Sequence, residues 1–362
     1  MRIVATVAII QLFAIWSWSQ TTFLKAYYQQ NGEDASFNPA GVNQMAFLDS
    51  FFAVDSRDFA SCDLHIFNEQ GKNIQNIQFI LNDNQPLYTT AIKSGFGKIL
   101  FSQSLQFCEE DTPENKCGVV FILDQALNLI NARWLQLHTW TTGAAMGFLD
   151  PSKALCTYGD YDTLQNASAR RVPVVALWDF VQDSVLWAKK YLPQDITLSH
   201  GFPTDYTIDN EGMLHFAGYF TAPPAQSPLF LMKLDPQGNF LQGIRFPLYH
   251  SFASRPRNIL LHYLPDEDAF LLSGRILDPG HHFENPLDAN PEGFIAKLNH
   301  DYEIEWAYRL HAPYFPCFQL TTIPGKNDDV LFIYTAYGEL PVMIGRMDFD
   351  GTILWAKGYD FF

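Results

Sequence analysis

A hairpin pattern recurs six times along this sequence, and the repetition limits the possible folds more than any other feature. Each copy has an apolar strand, a short polar turn and a second strand that often carries an aromatic residue. With the turns aligned, one position recurs at intervals of 56, 56, 55, 64 and 49 residues. That column holds Gly71, Leu127, Asp183, Gly238, Tyr302 and Gly351. The spacing predicts repeated copies of one small supersecondary unit.

The turns have the composition of tight β-hairpins. Three of them read N-x-x-G or D-x-x-G, at Asn68–Gly71, Asp235–Gly238 and Asp348–Gly351. An Asn or Asp side chain accepts hydrogen bonds from the turn backbone, and glycine adopts positive φ where the next strand begins. The predicted hairpins are Leu64–Phe79, Val119–Leu135, Val174–Tyr191, Leu229–Phe246, Phe294–Leu310 and Val342–Tyr359.

A second pair of short strands precedes each hairpin, so each repeat is predicted to hold four antiparallel strands, a, b, c and d. The predicted b strands are Phe51–Val54, Ile99–Ser102, Ala154–Tyr158, Leu214–Tyr219, Phe270–Gly274 and Val330–Thr335. Four strands repeated at this period are typical of a β-propeller. A β-solenoid usually has shorter repeats, and a β-sandwich does not require six copies of one hairpin. The fold class is therefore predicted to be all-β, a β-propeller.

The repeats leave two possible blade counts. Six full repeats predict six four-stranded blades, but Thr22–Tyr28 resembles an additional d strand. This strand could complete the sixth blade or belong to an incomplete seventh one, so seven blades are possible. The d-strand aromatics Trp187, Trp306 and Trp355 are predicted to lie in the core.

The N-terminus resembles a secretory signal peptide. Arg2 precedes an apolar run, and small residues stand before a predicted cleavage after Ser19. This divides the chain into a signal peptide, residues 1–19, and a single propeller domain, residues 20–362. A buried N-terminal strand or a membrane anchor is the alternative. The predicted location is secreted, periplasmic or on the cell surface, and nothing later in the chain resembles a transmembrane segment.

Composition excludes some partners. The chain has 39 acidic and 23 basic residues, a formal charge of −16, with 48% hydrophobic residues. That hydrophobic content predicts a folded protein rather than an extended disordered one. Binding to phosphate backbones depends on clustered Lys and Arg, so nucleic acid is not an expected partner.

Two segments resemble a known family. The K-L-D-x-x-G-N core within Phe230–Phe246 and the D-G-T-I-L-W-A-K-G-Y stretch at Asp350–Tyr359 are similar to the repeats of exported bacterial β-propeller proteins typical of Bacteroidetes. The similarity extends along the mature chain as spaced, degenerate motifs. It implies a secreted propeller with a structural or binding role.

Long connections between strands are predicted to share one face of the propeller, formed by the d–a and b–c loops. They are Gln29–Asn43, Ser104–Cys117, Asp160–Val172, Leu192–Asp205, Pro247–Asn258 and Ile276–Glu292. Irregular connections on a rigid scaffold often carry binding residues. This face is therefore the predicted site for a protein or carbohydrate ligand.

Aromatic and histidine residues in the d–a and b–c loops of this face are the candidate site residues. The ligand-binding candidates are Trp140, Tyr249, His250, His281, His282 and Tyr314. Weak candidates for metal ligands are His138, His200, His250 and His311, which could equally be solvated loop histidines. No cofactor is predicted, and a metal ion is possible but unsupported. Catalytic residues are unknown, since no nucleophile elbow, zinc helix motif or phosphate loop is present.

The five cysteines suggest one disulfide. Cys108 and Cys117 flank a polar segment and could form a bond in an oxidising compartment, whereas Cys156 lies in an apolar strand pattern and is predicted to be an inert core residue.

Three functions fit these features. The leading prediction is a secreted, non-catalytic binding or interaction module, outside the cell or at its surface. The alternative is a carbohydrate-active propeller enzyme, a glycoside hydrolase or lyase, with its site on the long-loop face. A third is a structural surface component that depends on calcium, although the loop after Asp278 lacks the spacing of a calcium-binding loop.

Overall fold

Nearly all regular structure in this computed structural model is β-strand. The structure describes residues 4–6, 27–29, 45–48, 51–57, 62–68, 73–79, 87–105, 116–137, 146–161, 171–191, 201–220, 227–250, 259–277, 292–310, 317–325, 328–336 and 341–360. No helix in this described part of the chain is long and apolar enough to span a membrane.

The first three repeats each form a separate four-stranded antiparallel sheet with strands in sequence order. Repeat 1 contains β3 (Met45–Leu48), β4 (Phe51–Arg57), β5 (Cys62–Asn68) and β6 (Asn73–Phe79). Repeat 2 contains β7 (Leu87–Gly95), β8 (Lys98–Leu105), β9 (Lys116–Asp124) and β10 (Leu129–Leu137). Repeat 3 contains β11 (Met146–Asp150), β12 (Lys153–Tyr161), β13 (Arg171–Asp179) and β14 (Ser184–Lys190).

Repeats 4 and 5 are joined in one sheet, because the end of β18 also pairs with β20. Repeat 4 contains β15 (Gly201–Ile208), β16 (Leu214–Phe220), β17 (Ser227–Leu234) and β18 (Phe240–His250). Repeat 5 contains β19 (Leu260–Leu264), β20 (Ala269–Leu277), β21 (Glu292–Leu298) and β22 (Ile304–Leu310). Repeat 6 is a separate sheet of β23 (Cys317–Pro324), β24 (Asp329–Ala336), β25 (Pro341–Asp348) and β26 (Ile353–Asp360).

This arrangement confirms the predicted four-stranded repeat. Each predicted hairpin forms the c and d strands of one sheet, and every predicted b strand lies within the observed one. In five repeats, strands c and d also pair in the same register. Each of these pairings has a register shift next to the turn. The last pair before the turn is Phe67↔Asn73, Leu123↔Leu129, Leu234↔Phe240, Leu298↔Ile304 and Met347↔Ile353.

The aligned turn column has a structural basis in the backbone. Its five described members all have positive φ, whether or not they are glycine: Leu127 (66°), Asp183 (49°), Gly238 (73°), Tyr302 (67°) and Gly351 (88°). Gly71 lies outside the described residues. The shared left-handed conformation confirms that the column aligns equivalent corners of successive repeats.

The Asn or Asp side chain that begins each turn holds it closed. Its Oδ1 accepts a hydrogen bond from the backbone N–H four residues later, as predicted from the N/D-x-x-G pattern. The pairs are Asp124 with Asn128 (2.8 Å), Asp235 with Asn239 (2.7 Å), Asn299 with Glu303 (2.8 Å) and Asp348 with Thr352 (2.7 Å). The β13–β14 turn is one residue longer, and there Asp179 accepts from Val181 and Gln182 instead.

The chain divides into two compact units. One consists of Met1–Thr141, Met146–Cys156 and Leu177–Val185, and the other of Thr142–Ala145, Thr157–Ala176 and Leu186–Phe362. In the second unit, the core lies between successive repeats. One cluster, including Leu231, Phe270 and Phe294, packs repeat 4 against repeat 5, and another, including Leu271 and Phe332, packs repeat 5 against repeat 6.

The outer d strands also contact the turn of the following repeat. The indole of Trp187 lies over Gly238, where a Cβ would come within 2.7 Å of the ring, and the indole of Trp306 lies over Gly351 at 3.0 Å. The Nε1–H of Trp306 donates to the carbonyl of Phe349 at 2.9 Å. We call the residue four places after the left-handed turn residue the docking position; its occupants are Gln75, Asn131, Trp187, Gln242, Trp306 and Trp355.

The prediction that all three d-strand tryptophans lie in the core is wrong for Trp355, which is 37% exposed. Trp187 and Trp306 are partly buried, but over the next repeat rather than within their own sheet. The d strand is the outermost strand of its repeat, so burial of its side chains requires a neighbouring repeat.

The N-terminal segment forms a small separate sheet. β1 (Val4–Thr6) pairs antiparallel with β2 (Tyr27–Gln29). β1 lies inside the predicted signal peptide, and β2 overlaps the predicted extra d strand, so the described partner of that strand is β1 rather than a strand of a repeat.

Candidate functional site

A buried polar network is centred on His215, in β16 of repeat 4. The His215 side chain is fully buried. Its Nε2 lies 2.8 Å from Oδ2 of Asp209, and its Nδ1 lies 2.5 Å from the hydroxyl of Tyr302. Asp209 and Tyr302 are also buried, so three polar side chains from two repeats meet away from solvent.

Local structure positions both partners of His215. Asp209 begins the D-N-E-G turn between β15 and β16, and its Oδ1 accepts hydrogen bonds from the N–H groups of Glu211 (2.9 Å) and Met213 (2.8 Å). This leaves Oδ2 directed toward His215. Tyr302 occupies the left-handed position in the β21–β22 turn of repeat 5, where glycine stands in repeats 4 and 6. The turn therefore directs a tyrosine ring into repeat 4.

The electrostatics define the protonation state of this group. Burial lowers the pKa of His215 to about 4, although the hydrogen bond and the charge of Asp209 oppose the shift. Burial alone raises the pKa of Asp209, but hydrogen bonds from His215 and the turn backbone outweigh it and lower the value. Burial also raises the pKa of Tyr302. At neutral pH, Tyr302 O–H therefore donates to Nδ1 of a neutral His215, whose Nε2–H donates to ionised Asp209.

A second group of side chains extends the network toward the surface. Nζ of Lys233 lies 3.8 Å from Oδ2 of Asp209 and donates to Nε2 of His300 at 3.1 Å. Nδ1 of His300 lies 3.1 Å from Oδ1 of Asp268, which also accepts from the hydroxyl of Tyr263 at 2.7 Å. The hydrogen bond from Tyr263 is the main cause of the lowered pKa of Asp268. The Asp268 side chain is 62% exposed, so the network runs from the core to solvent.

The hydrogen-bond order tyrosine–histidine–aspartate resembles that of a catalytic triad, with tyrosine in the place of the nucleophile. A nucleophile must reach a substrate, however, and here all three side chains are sealed. The raised pKa of Tyr302 also opposes formation of a reactive phenolate. The arrangement is therefore suited to holding repeats 4 and 5 together rather than to acid–base chemistry.

The D-N-E-G sequence at Asp209–Gly212 is typical of a tight turn, but the sequence analysis assigned no role to His215 or Tyr302. The sequence does contain a usable signal for His215. It follows Asp209 by six residues, and this spacing after a D-x-x-G turn places the histidine ring on strand b, beside the turn. Tyrosine at a turn position that glycine occupies in three of the other five repeats was a second signal.

We expect the free energy of unfolding to rise with pH between about 4 and 6.5. In that interval the unfolded chain binds a proton at His215 and the folded chain does not, so acid favours unfolding; above pH 6.5 this group contributes no pH dependence. The full effect is about 3 kcal/mol, from the separation of the two pKa values. Urea unfolding at four pH values between about 4 and 6.5 should show that the free energy of unfolding rises less steeply with pH in a His215→Gln variant than in the wild type. An unchanged slope would contradict this assignment.

Two of the predicted ligand-binding residues lie at the end of a strand rather than in a loop. β18 continues to His250, with Tyr249 opposite Pro228 and Leu277, and His250 opposite Ser227 and Ile276. The predicted loop beginning at Pro247 is thus shorter by the four residues that extend β18. The loop predicted to end at Asp205 is likewise shorter, because β15 begins at Gly201.

The remaining candidates lie outside the described residues, and their assignments stay predictions: Trp140, His281, His282, Tyr314, His138, His200, His311 and Cys108. Cys117, the predicted disulfide partner, lies in β9 opposite Gln136. Cys156 is buried, as predicted. Within the described residues, no group of three His, Cys, Asp or Glu side chains could hold a metal ion.

Comparison with known proteins shows the fold. No family model matches the sequence, and no curated protein matches it. Among solved structures, the WD40 domain of Toxoplasma gondii coronin is 10% identical, with a TM-score of 0.51 over 87% of this chain and 69% of that one. A mutant of Synechocystis apocarotenoid oxygenase is 11% identical, with a TM-score of 0.53 over 90% of this chain and 73% of that one. An ACO/RPE65 chimera has the same identity and coverage and a TM-score of 0.54. The chain is therefore similar in fold to β-propeller-type proteins, which include a WD40 domain and an enzyme.

Proposed function

We propose that this chain is an exported, six-bladed β-propeller that binds another protein and catalyses no reaction. The signal-peptide pattern at Met1–Ser19 and the similarity to exported bacterial repeat propellers support export, to the periplasm, the cell surface or the medium. The six repeats support the blade number. The similarity in fold to a WD40 domain is compatible with a binding role but equally with an enzyme, so the choice depends on surface chemistry.

One observation carries the proposal: the outermost strand of five repeats exposes apolar side chains directly after its turn. In repeat 4, Phe240 is 57% exposed and its neighbour Leu241 is 51% exposed. The other exposed residues at these positions are Leu129, Ile130, Val185, Leu186, Ile304, Ile353 and Leu354. Single exposed apolar residues are common, but adjacent exposed pairs that recur in four of these five strands favour contact with a protein surface.

Four of the described carboxylates have structural roles in turns. Asp124, Asp209, Asp235 and Asp348 accept backbone hydrogen bonds that close turns. Hydrogen bonding of this kind lowers the pKa values of Asp124 and Asp235 and keeps them ionised, whereas a general acid for glycoside cleavage needs a raised pKa.

The long-connection face remains a second predicted contact region. The sequence assigns Trp140, His281, His282 and Tyr314 to it, and Tyr249 and His250 lie at the end of β18. A carbohydrate ligand on that face, with or without catalysis, is the alternative to a protein partner on the outer strands.

The test uses the full chain produced with its leader in the source cells. We expect the mature protein to begin at Gln20, and affinity purification from the cell envelope and medium to recover one protein in a fixed ratio. A Phe240→Ser/Leu241→Ser variant should recover at least tenfold less of it. Gln242→Ser is the matched control, since it changes an exposed polar residue on the same strand and should retain the partner.

Three results would contradict the proposal. If the Phe240→Ser/Leu241→Ser variant retains the partner, the outer strand is not the contact surface. Loss of the partner on substitution of Trp140 and Tyr314 instead would assign binding to the long-connection face. Release of reducing or unsaturated sugars from a panel of polysaccharides would favour the carbohydrate-active enzyme.

A further inference from the structure

Two outer strands share a sequence whose contacts the structure describes in one of them. Leu186–Lys189 and Leu354–Lys357 both read L-W-A-K, and a tyrosine follows each lysine by two residues, Tyr191 and Tyr359. In both strands the tryptophan occupies the docking position. The first copy contacts the c–d turn of repeat 4, so its contacts show what this sequence recognises.

The tryptophan and the lysine of the first copy bind the repeat 4 turn together. The Trp187 ring lies over Gly238. Nζ of Lys189 donates to the carbonyl of Gln237 at 2.8 Å and to Oδ1 of Asn239 at 2.7 Å. One aromatic face and one ammonium group thus contact three consecutive residues of the turn.

The same turn receives a further hydrogen bond and a favourable charge. The hydroxyl of Tyr191 donates to the carbonyl of Gly238 at 2.8 Å. Burial raises the pKa of Asp235, but the hydrogen bonds of the turn and the charge of Lys189 outweigh it and lower the value. The turn is therefore held by its backbone carbonyls and by charge complementarity.

These contacts define the sequence of a turn that fits. Glycine is required in the left-handed position, because a Cβ on Gly238 would lie 2.7 Å from the indole ring, closer than packed atoms approach. Asn239 supplies a side-chain acceptor for the lysine, and Asp235 supplies the negative charge. The ligand of this strand sequence is a β-hairpin turn reading Asp-x-x-Gly-Asn.

The second copy of the sequence, on β26, presents the same groups to solvent. The Trp355 side chain is exposed, together with its neighbours Ile353 and Leu354. Lys357 is exposed as well. An indole, an ammonium group and an apolar surround are therefore available on one outer strand.

We propose that β26 binds an Asp-x-x-Gly-Asn hairpin turn of a partner protein, with Trp355 over the glycine and Lys357 on the carbonyl that precedes it. The inference rests on the proposed function and names the contact by which the partner is held.

A second copy of this chain is a poorer occupant than a different protein. The described c–d turns with glycine, at Gly238 and Gly351, are already covered by tryptophans of the preceding repeats. The Asp209–Gly212 turn has Met213 where the recognised turn has asparagine. Among the described turns, none is both uncovered and of the required sequence.

A hairpin peptide tests the proposal on the wild-type protein. The probe is a cyclic peptide that contains Asp-Pro-Gln-Gly-Asn, and the readout is nitrogen NMR of the protein with labelled tryptophan. The indole signal of Trp355 should shift and saturate as peptide is added. The signals of Trp187 and Trp306 should stay in place, because their turns are already bound. Single Trp→Phe variants assign the three signals.

Matched controls separate recognition from adhesion. A peptide with alanine in place of the glycine should bind about tenfold more weakly or worse, because its Cβ meets the indole. Trp355→Gln should weaken binding of the glycine peptide by about tenfold, and Lys357→Met by about threefold. Phe240→Ser/Leu241→Ser should bind the peptide as the wild type does. Melting temperatures near the wild-type value show that the variants are folded.

Three results would overturn the inference. The first is a Trp355 signal that the peptide does not shift, and the second is equal binding of the glycine and alanine peptides. The third is a Trp355 signal that moves with protein concentration alone, because the occupant is then a second copy.

The outcome for the proposed function is read separately, from affinity purification. If a partner is recovered and then lost on Phe240→Ser/Leu241→Ser, while the peptide has no effect, the proposed function stands and the turn-binding strand is wrong. If the peptide binds as described but no partner is recovered, the turn-binding strand stands and the proposed function is wrong.

Discussion

Replacing Asp209 with alanine is expected to lower the free energy of unfolding by about 3 kcal/mol or more, because a buried histidine then loses its charged partner. The carboxylate accepts from His215 through Oδ2 and from the backbone of Glu211 and Met213 through Oδ1. Alanine cannot accept any of these bonds, and His215 has no access to water. Urea unfolding at neutral pH measures the difference.

Asp235→Ala is the matched control for this prediction. Asp235 begins the next turn of the same repeat and accepts the same kind of backbone hydrogen bonds, from Gln237 and Asn239, but its other oxygen bonds the exposed side chain of Asn239. Its replacement should cost about 1 kcal/mol, the usual value for hydrogen bonds of this kind. Equal losses in the two variants would show that His215 contributes nothing to the effect of Asp209.

Gly238→Ala is expected to cost about 3 kcal/mol, because it adds a rigid steric conflict to an unfavourable backbone conformation. Gly238 has φ +73°, and a Cβ there would lie 2.7 Å from the Trp187 ring. Gly212 gives a close comparison, since it ends a turn of the same kind in the same repeat with φ +78° and has nothing within 4 Å of its Cβ position.

Gly212→Ala should therefore cost only about 1 kcal/mol, the backbone contribution alone. The difference between the two glycine variants isolates the contact with Trp187, and a Trp187→Ala background should remove most of it. If Gly238→Ala and Gly212→Ala unfold at the same urea concentration, the Trp187 indole does not have the proposed docking role.

The turns were predictable because their chemistry is local. The Asn or Asp at the start and the left-handed residue three or four positions later are adjacent in sequence, and strand register depends on the same few residues. This is why the alignment of Leu127 and Tyr302 with glycines gave the correct corner, although neither residue favours positive φ.

The polar network was not predictable to the same degree, because its members come together only through packing. β16 is buried on both faces, so the alternation of apolar and polar residues that usually separates inside from outside is absent around His215. Tyr302 lies 87 residues further along the chain. The turn pattern locates Asp209 but does not show which side chains the neighbouring repeat brings to it.

The tryptophans show the same limit. Trp187, Trp306 and Trp355 stand at equivalent positions in nearly identical strands, and sequence alone assigns them one environment. Their burial depends on the turn of the following repeat, which is a property of the arrangement and not of the strand.

The triad-like group of Asp209, His215 and Tyr302 is a structural link with a neutral histidine. Nitrogen NMR of the protein with labelled histidine tests it most directly, with the His215 ring assigned from the His215→Gln variant. We predict a proton on Nε2, an unprotonated Nδ1 and no titration from pH 8 down to about 5. A proton on Nδ1, or titration of this ring near pH 6.5, would contradict the account.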